Sequence, residues 1–345
     1  ANRMPDPVLQ QVEHFSNPGM TANDSFKPVT KYFDRITRPE QILQSLPQAI
    51  QTMLDPADCG PACLSLCQDV QGETFEYPEE FFKERVHNIR RPKPDDFQIK
   101  QAVERIKNSK NPIIISGGGV FYSDAMEELS NFAVKHNIPV TQTVMGYSTM
   151  KRDHSHFVGP IGGLGGKAAN NLAKETDLAI CIGTKLADFT TGSWANFENP
   201  QFKLVSINIA RHDANKHLAE AVIGDAKVSL IELSNALGDW RSSDNWHKKS
   251  QDELKSWNEY VDKESGPTNQ DLPSYAHAVG AIYRNSDPTD IAVTAAGGLV
   301  GEVVQVWRPK ELNTHETEWG FSCMSYEISG ALGIKMANPD KDVIA

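Results

Sequence analysis

Glu318-Trp-Gly-Phe-Ser-Cys-Met-Ser-Tyr-Glu-Ile-Ser-Gly-Ala-Leu-Gly-Ile-Lys-Met-Ala337, followed by Asn338-Pro-Asp-Lys-Asp-Val-Ile-Ala345, is the stretch whose reading decides the fold. Its small residues Ser329, Gly330, Ala331 and Gly333 suit a helix packed tightly against a sheet. Asn338-Pro339 stops that helix, because the residue before a proline is driven out of the helical region. Val343-Ile344-Ala345 then reads as the start of a buried parallel strand. Such strands usually run about five or six residues and deliver functional loops at their C-terminal ends. The sequence is therefore expected to break off just before such a loop, and it opens on Ala1-Asn-Arg3 with neither an initiator methionine nor a signal peptide. The chain reads as an internal fragment of a longer protein.

Moving upstream, the third block, 272–345, begins with a helix from Tyr275 to Tyr283 and a strand at Ile291-Ala-Val-Thr294. A turn at Ala295-Ala-Gly-Gly298 and a helix from Leu299 to Trp307 follow. Strand, glycine turn and helix in that order present backbone N–H groups to an anion at the helix N-terminus. An ordinary βα turn in which Gly297 and Gly298 only relieve sterics fits the same pattern. A polar, Trp-bearing linker, 241–271, precedes this block.

The central block, 95–240, alternates strands and helices: Ile113-Ile-Ile115, a Gly117-Gly-Gly119 turn, an amphipathic helix from Asp124 to His136, and Val140-Thr-Gln-Thr-Val144. Leu178–Ile182 and Leu204–Ile209 add strands, and Ala226 to Leu237 closes the unit with a helix. This alternation predicts a parallel sheet wrapped by helices. The first block, 1–80, holds a helix-like region from Arg38 to Leu54 and a strand near Leu64 that ends in Gln68-Asp69-Val70. A charged, proline-rich linker, 81–94, runs through Arg90-Arg-Pro-Lys-Pro94.

With 345 residues, 39% hydrophobic and 23% charged, the chain can form two or three globular units. A net charge of -11 without a Lys/Arg run argues against nucleic acid or an anionic membrane as partner and favours small soluble substrates. The apolar run Ile291 to Trp307 is broken by Gly297-Gly298 and Glu302, short of the roughly 18 residues of a span. Five scattered cysteines lack the framework of a small secreted domain, so a cytoplasmic location is expected. Cys59, Cys63 and Cys67 match no zinc or iron–sulfur spacing. On a strand, Cys63 and Cys67 would stand about 13 Å apart, too far for one metal.

Gly163-Leu-Gly-Gly-Lys-Ala168, with Asp188 downstream, fits the spacing of a dinucleotide fingerprint, but His156 to Pro160 does not read as the strand that fingerprint requires. A helix-entry loop with a structural or site-facing role is preferred. His154 with His156, and His212-Asp213 with His217, lie in polar loops without a third spaced ligand and are expected to be solvated.

Gly320 to Met324 and the small-residue helix after it resemble the thiamine diphosphate (ThDP) enzymes, in which a Gly-x-x-x-Met segment precedes a Gly-Asp-Gly metal and diphosphate loop. Ser322-Cys-Met-Ser-Tyr-Glu327 is most similar to the members that open a hydroxylated cyclohexane-1,2-dione ring in inositol breakdown. Phe33-Asp-Arg-Ile-Thr-Arg-Pro-Glu-Gln41, Gly162-Gly-Leu-Gly-Gly-Lys-Ala-Ala-Asn-Asn-Leu172 and Asp188-Phe-Thr-Thr-Gly-Ser-Trp194 resemble the same members. The resemblance covers nearly the whole chain. It implies an α/β architecture of three parallel-sheet domains: the end of a pyrimidine-binding domain, a Rossmann-like central domain, and the beginning of a diphosphate-binding domain. In some relatives the central domain binds flavin or another nucleotide, and in others it is structural.

The resemblance implies ThDP and Mg²⁺ as cofactors and a cyclic diketone as substrate. The reaction would be hydrolytic C–C cleavage to a deoxyglucuronate, in a homodimer or homotetramer. Gly297, Gly298, Ser322, Cys323 and Met324 resemble cofactor contacts, with Met324 as the bulky apolar wedge that keeps the cofactor bent. Ser325 stands where the family is expected to have glycine. No catalytic residue is assigned: the activating glutamate is expected N-terminal to this chain and the metal loop beyond Ala345, and Glu327 lies on the wrong domain for the glutamate's role. The 345 residues alone are expected to turn over nothing. An acetolactate-synthase-like carboligase, or a non-catalytic nucleotide-binding module, are the alternatives.

Overall fold

The computed structural model describes residues 14, 16, 17 and 19–345, so the reading of Ala1-Asn-Arg3 lies outside the described residues. Two compact units, Ala1–Arg90 and Arg91–Ala345, are described separately. In the first, strands β1 (Tyr32–Ile36) and β2 (Ala62–Leu66) pair in parallel around helix α1 (Ile42–Leu54). The Gln41 side chain ties the strand-to-helix corner: its amide donates to the Asp34 carboxylate at 3.0 Å and the Arg35 carbonyl at 3.1 Å, and its oxygen accepts the Thr37 N–H. Cys59 is exposed, Cys63 half-buried, and Cys67 is buried beside Ile36 and Val70.

The second unit begins with α2 (Asp96–Lys107), capped by the Asp95 carboxylate, and continues into β3 (Pro112–Ser116), α3 (Gly119–Tyr122), α4 (Met126–His136) and β4 (Val140–Gln142). Next come β5 (Phe157–Pro160), α5 (Lys167–Glu175), β6 (Leu178–Ile182), α6 (Asp188–Thr191), β7 (Lys203–Asn208), α7 (Arg211–Ala214), β8 (Glu220–Ile223) and α8 (Ala226–Leu237). All six strands are parallel, in the order β5-β4-β3-β6-β7-β8, the doubly wound arrangement. Ile114, Ile180, Val205 and Ile207 face α2, α4 and α8, whereas Ile113, Ile115, Ala179 and Cys181 face the opposite side. Strands buried on both faces are continuous apolar runs, which is why Ile113-Ile-Ile115 was legible.

The expected strand to Val144 ends at Gln142, because the Thr143 hydroxyl accepts the Gly146 N–H at 3.0 Å and caps a single tight turn. His156 to Pro160, expected not to be a clean strand, contains β5. It is an edge strand with a register irregularity against β4, and Gly159 has φ +104 there. Edges and bulges are where a sheet tolerates Gly and Pro.

The 241–271 stretch is dominated by α9 (Asp244–Glu264), whose polar face points outward while Trp246 and Val261 are buried. Then follow α10 (Tyr275–Asn285), β9 (Ile291–Thr294), α11 (Leu299–Val306), β10 (His315–Thr317), α12 (Tyr326–Ala337) and β11 (Val343–Ile344). The last sheet is parallel, in the order β10-β9-β11. Helix α12 rests on β9 and β11, but none of its residues is fully buried, in contrast to the expected tight packing. Gly330 makes room for the ring of Tyr326, which a Cβ would meet at 2.8 Å.

His154 is half-buried and His156 buried, so the pair is not the solvated one expected. His156 is 5% exposed, stacks on His247 at 4.3 Å, and lies 5.8 Å from the ring of His154. Helix α9 brings His247 over this loop, which no local spacing announces. His212 and His217 are exposed as expected.

Candidate functional site

Thr294 and Thr317 are neighbours across β9 and β10, so the loops after both strands leave the same edge of the sheet. In the first loop Gly297 has φ +95, a conformation that side chains resist, and Gly298 precedes α11. Both are exposed, and a Cβ on either would meet nothing within 4 Å. The first N–H groups of a helix lack intrahelical partners, so this turn offers donors to open space, a geometry that fits a diphosphate.

The second loop is built by Glu318, which the sequence reading did not single out. Its carboxylate accepts the Phe321 N–H at 2.8 Å and the Cys323 N–H at 2.6 Å, and these bonds hold its pKa below the usual carboxylate value. Ser322, Cys323 and Met324 stand exposed on this loop. Met324 is 82% exposed, so it does not serve as core.

Ser325 has φ +76 at the start of α12, and its side chain makes no cap hydrogen bond. The left-handed region costs an L-residue about 1–2 kcal/mol, partly offset by the unfolded-state entropy of glycine. Ser325→Gly is therefore expected to stabilise the chain by about 0.5–1 kcal/mol. An unchanged or lower midpoint in thermal unfolding would contradict this.

Two further stretches from the central block reach the same place. The Phe189 ring packs edge-to-face on Trp319 with centroids 5.1 Å apart. Leu164 joins Val144, Val300, Val304 and Trp319 in one apolar cluster, and its carbonyl accepts from Gln305 Nε2 at 3.4 Å. Thus Gly162–Leu172, Asp188–Trp194 and Glu318–Met324, picked out separately in the sequence, converge on the side of the Gly297-Gly298 turn.

β5 does precede Gly163–Ala168, contrary to expectation, and it is the topology that speaks against a dinucleotide fingerprint there. β5 is the outermost strand, whereas the switch point lies between β3 and β6. At that point the Gly117 N–H donates to the Ile182 carbonyl and the Gly119 N–H to the Gly183 carbonyl, each at 2.9 Å. A Cβ on Gly117 would lie 2.4 Å from the Gly183 oxygen. The crevice is closed by backbone against backbone, and these donors are already committed.

Among the described residues, no group of three or more His, Cys, Asp or Glu could hold a metal ion, and no helix is long and apolar enough to cross a membrane.

Residues 99–233 match the family model of the thiamine pyrophosphate enzyme central domain. The chain is 40% identical over 370 residues to the 3D-(3,5/4)-trihydroxycyclohexane-1,2-dione hydrolase of Clostridium perfringens (strain 13 / Type A), covering 99% of this chain and 57% of that protein. It is 41% identical over 370 residues to the protein of the same name from Clostridium botulinum (strain Alaska E43 / Type E3), with the same coverage. With that from Bacillus anthracis (strain CDC 684 / NRRL 3495) it shares 39% over 369 residues, covering 100% of this chain and 57% of the relative. The chain spans somewhat more than half the length of these relatives.

Proposed function

Because the chain belongs to the thiamine diphosphate-dependent enzymes, we propose that the protein it builds hydrolyses a C–C bond of a trihydroxycyclohexane-1,2-dione. The product would be 5-deoxyglucuronate, formed in myo-inositol degradation. The observation that carries this reading is the meeting of three separated stretches beside an exposed glycine turn at one sheet edge. The relatives named above supply the substrate class.

ThDP, when bound, supplies the carbanion and electron sink for the cleavage. In this reading Gly297, Gly298 and the first turn of α11 would hold its diphosphate through backbone N–H groups. Glu318, whose carboxylate fixes the loop, would set Ser322, Cys323 and Met324 to hold the cofactor. The resemblance, in this reading, assigns the Mg²⁺ ligands and the glutamate that activates the pyrimidine to residues outside these 345. The partition into a pyrimidine-domain end (1–80), a central domain (95–240) and a diphosphate-domain beginning (272–345), joined through 81–94 and 241–271, belongs to the same proposal. So do a cytoplasmic homodimer or homotetramer and a small-molecule partner rather than nucleic acid or membrane.

The test is ring opening by the full-length protein with ThDP and Mg²⁺, wild type beside Met324→Ala. Because Met324 is exposed, its truncation is expected to change stability by less than about 0.5 kcal/mol, while turnover falls at least tenfold. Full turnover in the variant would remove Met324 from the site. Acetolactate formed from pyruvate, without ring opening, would favour a carboligase.

A further inference from the structure

Phe189, in the short helix α6, is 47% exposed although its ring lies against Trp319, and its backbone is tied to the glycine loop. Its carbonyl accepts the Gly163 N–H at 2.7 Å. Gly162 has φ +108, and a Cβ there would lie 2.0 Å from the same Phe189 oxygen, so only glycine lets the two loops close. The Asn170 side chain locks Gly162 in turn: its oxygen accepts the Gly162 N–H at 2.9 Å and its amide donates to the Gly162 carbonyl at 3.0 Å. Asn196, from beyond α6, donates to that same Asn170 oxygen at 3.3 Å. A chain of fixed contacts therefore runs from α5 through the glycine loop to one exposed aromatic ring. That ring stands on Trp319, which opens the loop carrying Met324.

We propose that Phe189 and Trp319 form an aromatic wall that receives the ring face of the substrate, with Asn170 as the residue that positions it. The inference rests on the function proposed above and adds to it a specificity element supplied by the central domain. A polyhydroxylated ring directs hydroxyls outward and presents C–H groups on its face, and the electron-rich face of an aromatic side chain takes such a surface. Preorganised walls fix orientation without losing conformational freedom at the moment of binding. Asp188, exposed directly beside Phe189, is placed to accept from the hydroxyls of a ring seated there.

The experiment measures KM and kcat of the full-length holoenzyme with the cyclic dione and, as acyclic comparator, butane-2,3-dione, together with ThDP affinity. Phe189→Ala is expected to raise KM for the cyclic dione at least tenfold. Its kcat, its ThDP affinity and its KM for the acyclic dione are expected to stay within twofold of wild type. Phe189→Tyr should restore KM, and Asn170→Ala should reproduce a smaller rise. An unchanged cyclic KM in Phe189→Ala, with wild type still opening the ring, overturns the wall and leaves the proposed function standing. A parallel loss of ThDP affinity also overturns it, since the pair would then serve the cofactor. If wild type opens no ring, the proposed function falls and the wall falls with it.

Discussion

Trp246→Ala is expected to cost about 3–5 kcal/mol of stability, the range for removing a large buried aromatic side chain. The indole is 4% exposed and sits among Ile113, Ile115, Ala169, Leu172 and Cys181, on the sheet face covered by α5. Its Nε1 donates to the Pro112 carbonyl at 2.8 Å, at the first residue of β3. Truncation leaves both a cavity and a buried carbonyl without that partner, and both losses are contained in that range. Trp246→Phe keeps most of the volume and loses the hydrogen bond, so a smaller loss of about 1–2 kcal/mol is expected. Urea unfolding measures both. A cost below about 1.5 kcal/mol for the alanine variant would mean that α9 is not keyed into the core through this ring.

Acid is expected to weaken the same region. Burial and the neighbouring His247 and His154 rings push the His156 pKa down to about 4, from an ordinary 6.5. Burial lowers His154 and His247 as well, against the opposing pull of Asp153 and Asp244. The His156 Nε2 lies 3.2 Å from Asn137 Oδ1, and Ser155 Oγ is 2.9 Å from its Nδ1. Arg241 adds a like charge, and the ring's hydrogen-bond partners among the described residues are neutral, Asn137 and Ser155. A folded-state pKa below the unfolded value means that the unfolded chain binds the proton more readily. The stabilising effect is therefore complete above about pH 6.5 and erodes as pH falls toward 4. His156 alone then accounts for about 3 kcal/mol. His315, buried on β10 with its ring 5.4 Å from that of Tyr147 and also lowered to about 4 by burial, acts in the same direction. The free energy of unfolding should fall steeply between pH 6.5 and 4, and less steeply in His156→Gln. Equal slopes would place the effect elsewhere.

Much of the fold could be read from local pattern. Ile113-Ile-Ile115 announced a buried parallel strand, and Asn338-Pro339 marked a helix end where α12 stops. The β9, glycine turn and α11 succession appeared as expected, because period and glycine placement are local signals. What escaped depended on tertiary partners. β5 was hidden by a glycine and a proline that only an edge strand tolerates. The histidines of the 154–156 loop looked polar because the ring that covers them belongs to α9, some ninety residues later. Glu318 gave no sign of its role, since it acts on backbone N–H groups and those carry no letter in a sequence. The convergence of Gly162–Leu172 and Asp188–Trp194 on Trp319 was likewise invisible, although both stretches had drawn notice by their wording.

Helix α9 is 21 residues long, about 31 Å. Trp246 near its beginning lies in the central core, whereas Val261 near its end lies in the core of Val279, Tyr283 and Trp307. Trp257 packs against both cores. A single rigid strut anchored in two cores denies each of them an independent melting transition, since freeing either end exposes apolar surface belonging to the other. Residues 91–345 should therefore lose structure in one cooperative step, and where one sheet gives way to the next is not a seam along which this unit comes apart.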